Sequence, residues 1–231
     1  MTRSRTLTRL AVAGVACLAL SACGTHPGAA AVVGSQRISS GDVDSFARAL
    51  CFDPTASGSG QVAQAVSSRS VRESALRNLV EASLSRQFGR SQGVEPDQEQ
   101  VSAFLSSNEA ALNKVPADRR TVLVQRLREL VEGQLTLVAV GRRELRREGA
   151  SSITDQKAYD AGTTARDAWA RTHLDVSVDP RYGSYAKGQV EPAGDSLSVP
   201  VSARAAAATT SLSGQPSADW VASLPASQKC S

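Results

Sequence analysis

The stretch ADRRTVLVQRLRELVEGQLTLVAVGRRELRRE, residues 117–148, decides the fold. At 100° per residue Leu123, Leu127, Leu130, Val131, Leu135, Leu137, Val138 and Leu145 fall within roughly 160° of one another. Glu129, Glu132, Arg143 and Arg147 lie opposite. This spacing predicts one amphipathic helix from Ala117 or Asp118 to Glu148, and some 30 residues at 1.5 Å each reach about 45 Å. A helix that long, wet on one side, needs partners along its length. Gly141 lies on its apolar side, where a neighbouring backbone can approach closely.

Downstream, Gly149-Ala150-Ser151-Ser152 is a short break, and a fifth helix is expected near 154–172. Its candidate contacts include Ala158, Tyr159, Ala161, Ala165, Ala168 and Trp169. Leu174-Asp175-Val176-Ser177-Val178-Asp179 then alternates as a strand does, and Pro180-Arg181-Tyr182-Gly183 turns it. Residues 197–201 suit another extended piece, kept to an edge by Pro200. Residues 203–229 are rich in Ala, Ser, Thr and Pro, with Leu212, Trp220, Val221 and Leu224 among the few groups to bury, so an irregular tail is expected. Upstream, Val94-Glu95-Pro96-Asp97 restarts the chain into a third helix with Val101, Phe104 and Leu105 inward, ending before Pro116. A second helix covers 61–90, with a break allowed near Ser67-Ser68, and stops at Gly93. Val71, Ala75, Leu79, Ala82, Leu84 and Phe88 form its apolar side. The first helix, with Val43, Phe46, Ala47 and Leu50 at helical spacing, runs from an N-cap at Ser39 or Ser40 to about Cys51. Asp53-Pro54 and a Ser/Gly cluster to Gly60 end it, and Ala31-Val32-Val33-Gly34-Ser35-Gln36-Arg37-Ile38 precedes it as a short strand and turn.

In this order, Ala31 to Ile38, then Gly93-Val94-Glu95-Pro96-Asp97 with Val101, then Val176-Ser177-Val178-Asp179-Pro180-Arg181-Tyr182-Gly183, the chain resembles the N-terminal domain of the SurA-like extracytoplasmic chaperones. The foldase lipoproteins and the C-terminal domain of trigger factor are akin to it. The resemblance covers 31–185 and implies a mainly α bundle with a long helix, closed by a small β element that pairs the two ends of the domain. It also implies binding of unfolded or secreted polypeptides. Members that isomerise prolyl bonds carry a parvulin domain of about 100 residues, commonly between the long helix and the final one. Here Gly149 to Ile153 fill that place, and the histidines are His26, before the first strand, and His173, at a helix end. No isomerase is expected.

The N-terminus carries a different signal. Arg3, Arg5 and Arg9 precede an apolar run from Leu10 to Leu20, the pattern of a secretory signal peptide and too short for a membrane-spanning helix. The run ends in Leu20-Ser21-Ala22-Cys23, which resembles the lipobox of bacterial lipoproteins. The resemblance implies that residues 1–22 are removed, that Cys23 is acylated on sulfur, and that residues 23–30 form a tether to the extracytoplasmic face of a cell membrane. The remaining division is the helical domain 31–185 and an extended, low-complexity tail 186–231.

Residues 1–22 hold three of the 26 Lys+Arg and none of the 22 Asp+Glu, leaving 26 − 3 = 23 basic against 22 acidic groups. That balance gives no footprint for nucleic acid. Only 4% of residues are aromatic, so the core must be built from Leu, Val, Ala and a few rings. With Cys17 in the signal and Cys23 lipidated, Cys51 and Cys230 remain, and in an oxidising compartment they are expected to form a disulfide, two free thiols being the alternative. Two distant Cys with His26 and His173 are too few for a metal site, and no cofactor is expected. Gly58-Ser59-Gly60 is too short for a phosphate loop or nucleophile elbow and reads as a flexible loop. His173 suits the negative end of the fifth helix, Trp169 suits its core, and Trp220 is left open between plugging a groove and exposure. Arg142-Arg143 and Arg146-Arg147 are interleaved with Glu144 and Glu148, which favours a solvated salt-bridge face over lipid headgroup contact. No catalytic constellation emerges, so the chain is not expected to be an enzyme. The expected function is a membrane-anchored holder of unfolded or secreted polypeptides; the alternative is an adaptor lipoprotein docking one envelope protein.

Overall fold

The computed structural model describes residues 28–52, 66–191, 202–203 and 218–230. The lipobox with Cys23, His26, the Gly58-Ser59-Gly60 loop, the expected extended piece at 197–201 and Leu212 lie outside the described residues.

The fold is mainly α with small antiparallel sheets. Strand β1 (Ala29–Val33) turns through Gly34 into β2 (Gln36–Ser39). It starts two residues before the expected boundary at residue 31, because Ala29 already pairs with Ser39. Ser39 then caps α1 (Ser40–Leu50): its hydroxyl accepts from the Asp42 N–H at 3.0 Å while the Asp42 carboxylate accepts from the Ser39 N–H at 3.2 Å. Such a reciprocal cap is worth about 1 kcal/mol. Strand β3 (Val66–Ser67) leads into α2 (Ser68–Ser91), capped by the Ser67 hydroxyl. The expected helix therefore starts at residue 68, since Val66 and Ser67 pair with the far end of the chain. Gly93 stops α2 with φ +61, a conformation open to glycine at little cost. Asp97 caps α3 (Gln98–Ser107) with bonds from the Glu99 and Gln100 N–H groups. The expected third helix is two pieces, α3 and a single turn α4 (Glu109–Leu112), and of its inward residues Val101 is buried while Phe104 and Leu105 are half-buried.

The long helix is α5 (Ala117–Arg147), and it ends within one residue of its expected bounds. Arg120 donates to the Asn113 and Val115 carbonyls and so ties its first turn to α4. Thr154 caps α6 (Asp155–His173). Strand β4 (Val176–Val178) pairs antiparallel with β1 in the register Ala31–Val178, Val32–Ser177 and Val33–Val176. With β2 on the other side of β1, the sheet closes the two ends of the domain on each other. A hairpin of β5 (Ser184–Ala186) and β6 (Gln189–Glu191) carries the ordered chain past residue 185, and Val190 is buried in the main core. That core joins Val33, Phe46, Leu76, Leu84 and Leu123. A smaller cluster of Phe88, Leu137 and Val140 sits under the half-buried Trp169.

Of the expected α6 contacts, Ala158 is buried and Tyr159, Ala165 and Trp169 pack half-buried on the smaller cluster, whereas Ala168 is exposed and Gly162, Arg166 and Ala170 complete the buried face. Only small side chains fit where α6 crosses α5: a methyl group on Gly141 would overlap the Ala158 carbonyl, and one on Gly162 the Leu137 carbonyl. The tail is also less irregular than expected. Its residues 218–230 form α7 (Ala218–Ser223), a 3₁₀ turn (Ala226–Gln228) and β7 (Lys229–Cys230), with Val221 and Leu224 buried and Trp220 half-buried.

Candidate functional site

Two places gather side chains with chemical potential. The first is the end of the chain. Strand β7 pairs antiparallel with β3, Val66 opposite Cys230, and brings Cys230 to Cys51 at the C-terminal end of α1. Their Cα atoms are 5.1 Å apart and their sulfurs are bonded. Beside them the Arg119 guanidinium lies 4.5 Å over the Phe52 ring, which adds a cation–π contact between α5 and the residue after Cys51. The disulfide is a structural clasp, holding α7 and β7 on the helical body.

The second place is a cleft of about 670 Å³ beside α5. It follows from the breadth of the α5 apolar stripe. Gly133 and Thr136 meet Ser85 and Gly89 of α2, and Leu137 and Gly141 meet α6. Each neighbour covers only part of the arc, so Leu130, Leu135 and Val138 stay half-buried and line the cleft. Glu81 and Ser85 of α2, Glu95 and Asp97 around the start of α3, and Asp155, Tyr159 and Arg166 of α6 complete the walls.

Arg166 is the charged residue that the sequence reading missed. It is 4% exposed, and its Nε and Nη2 both donate to Asp167 Oδ1, at 2.9 and 2.8 Å. Its Nη1 makes a longer contact, 3.4 Å, to Ser85 Oγ. Asp167 lies close against the β5–β6 turn, where a Cβ on Gly188 would come within 2.6 Å of its carboxylate. The only sequence signal for this was the four-residue repeat of small side chains, Ala158 and Gly162 before Arg166 and Ala170 after it. Glu81 faces the same wall. It is half-buried, and it makes no hydrogen bond or ion pair among the described residues. Burial pushes its carboxyl above the usual glutamate range, against the pull of Arg166 and Arg77. Tyr185 is raised too, chiefly by burial and then by Asp167, and its hydroxyl makes no hydrogen bond among the described residues. Asp97 is held low instead, first by the Gln100 side chain, because it is the α3 cap.

No family model, no curated protein and no solved structure matches the chain. His173 Nδ1 lies 2.9 Å from the Trp169 carbonyl and its ring stacks on Trp169 at 5.5 Å, which makes it part of the α6 terminus. Arg142 pairs with Asp155 and Arg147 with Glu144, whereas Arg143 bonds Gln92 at the end of α2. Arg142 and Arg143 thus tie α5 to α6 and α2, while the Arg147–Glu144 pair lies within α5. Among the described residues no three His, Cys, Asp or Glu gather as metal ligands, and no helix is long and apolar enough to cross a membrane. Ser85 Oγ faces a guanidinium, not a base, so it serves as a hydrogen-bonding group. The cleft can bury apolar side chains and offer a donor beside an acceptor.

Proposed function

We propose that the chain is a lipoprotein, anchored through Cys23 at the extracytoplasmic face of a cell membrane, whose helical domain holds segments of unfolded or secreted polypeptides without isomerase activity. The observation that carries this reading is the cleft, where α5 leaves Leu130, Leu135 and Val138 half-buried beside hydrogen-bonding groups. Binding there needs no covalent chemistry: it exchanges water on those side chains for apolar groups of the client, at about 25 cal/mol per Å². The antiparallel closure of β1 on β4 and the long helix between them support the likeness to the chaperone domain.

A second reading, an adaptor that docks one envelope protein, is favoured by a specific observation. Among the described residues Val66 is the large apolar side chain that stands exposed, so the surface lacks the broad apolar patch of a promiscuous binder. The charges around the cleft, Glu95, Asp97 and Arg142 among them, would also select among partners. Light scattering of a refolding client in the presence of the full-length protein separates the two. The holder suppresses aggregation at near-stoichiometric ratios and leaves a proline-limited refolding rate unchanged. No protection at several-fold excess, with one stoichiometric partner recovered by crosslinking in the intact envelope, favours the adaptor. A faster proline-limited rate would overturn the exclusion of isomerase activity.

A further inference from the structure

The cleft wall contains an acceptor and a donor that the fold leaves incompletely used. Glu81 carries a carboxylate with no hydrogen-bond partner among the described residues. Arg166, almost wholly buried, spends Nε and Nη2 on Asp167, but its Nη1 meets only Ser85, at 3.4 Å. The two charges sit on facing elements, α2 and α6, both line the cleft, and they do not close into an ion pair with each other. Arg166 is tied to Asp167 through Nε and Nη2, and Asp167 lies against the β5–β6 turn at Gly188, which leaves Nη1 on the cleft side of the pair. A gap fixed in this way, acceptor on one side and donor on the other, is complementary to a group that presents an N–H and a C=O together. The peptide unit is such a group, and a bare cation is not, because the Arg166 charge beside Glu81 would oppose it.

We propose that Glu81 and Arg166 clamp one main-chain peptide unit of the bound polypeptide, Glu81 accepting from its N–H and Arg166 donating through Nη1 to its C=O. The apolar side chains of the segment then rest on Leu130 and Val138. This rests on the polypeptide-holding reading above and deepens it: main-chain recognition is indifferent to side chains, which is what a holder of varied clients requires. It also gives a use to a half-buried carboxylate that lacks a hydrogen-bond partner, since charge-assisted bonds to a buried partner are the strong ones.

The test uses the full-length protein in detergent and a fluorescein-labelled Leu/Ser decapeptide, alongside the same sequence with its central amides replaced by esters. The esters keep shape and side chains but remove the N–H donors. Anisotropy titration should show the peptide binding about tenfold tighter than its ester, the scale of one charge-assisted hydrogen bond. The Glu81→Ala protein should bind the two equally, with an unfolding midpoint no lower than that of the parent. Equal binding of peptide and ester by the parent protein, or a tenfold preference that survives Glu81→Ala, overturns the clamp and leaves the holding reading standing. Failure of either ligand to bind, with an aggregating client also unprotected, overturns the holding reading and the clamp with it.

Discussion

At Gly141 and Gly162 the long helix and α6 touch backbone to backbone, and a single methyl group is enough to force them apart. Gly141→Ala should lower stability by about 1–3 kcal/mol, the usual cost of overpacking a close contact. Gly41→Ala is the control: it sits in the first turn of α1, where a Cβ would meet Ser39 Oγ at an ordinary 3.6 Å, so its effect should stay within about 1 kcal/mol. Urea midpoints of both variants check this. Glu81 belongs to the same scale. Its folded pKa lies above its unfolded one, burial being the first cause, with Arg166 and Arg77 pulling down and Asp167 pushing up. The stability it contributes is thus fully present below the ordinary glutamate range and is lost as pH rises through the raised folded value. At neutral pH its charge is a net cost. Glu81→Gln should raise the unfolding midpoint at pH 7, and the advantage should shrink as pH falls towards 4. An advantage that grows on acidification would contradict the burial assignment.

Among the elements, helices were far more legible than strands. The α5 bounds, the Ser39 cap, the start of α6 near Thr154 and the restart at Val94 to Asp97 are local chemistry, readable from a dozen residues at a time. The close approach at Gly141 was visible because glycine stood inside an apolar stripe. Arg166 was not, because a charged residue on an alanine-rich helix reads as its wet side, and its burial depends on Asp167 and the β5–β6 turn. Strand β3 and the tail were misread for the same reason. Val66 and Ser67 are extended only because Lys229 and Cys230 lie beside them, and no window of sequence contains both. The cysteine pair was legible by count alone. The bridge spans 179 residues of sequence, for which chain entropy gives at most ~5 kcal/mol. Reductant should therefore lower the urea midpoint of the full chain, and limited proteolysis should then cut near α7 before it cuts α5. Two thiols titrating in the non-reduced protein would contradict the clasp.

The whole molecule is a helical body whose longest helix is served by α2 and α6 on its flanks and left partly uncovered between. The half-buried Leu130, Leu135 and Val138 in that gap are the surface proposed to meet a client. The proposed setting at a membrane rests on Cys23, so Cys23→Ala should move the protein out of the membrane fraction or block processing. Mass spectrometry that finds residue 23 unmodified would contradict the anchor. The central claim is tested most directly by titrating the full-length protein in detergent with a permanently unfolded, reduced and carboxymethylated client, beside the Val138→Asp variant. Val138 is half-buried on the cleft, so the new carboxylate reaches water in the free protein and is buried only against a client. Binding by the parent should be saturable, and weakened about tenfold or more in Val138→Asp at an unchanged unfolding midpoint. Absence of binding by the parent, or equal binding by both, would contradict polypeptide holding at the cleft.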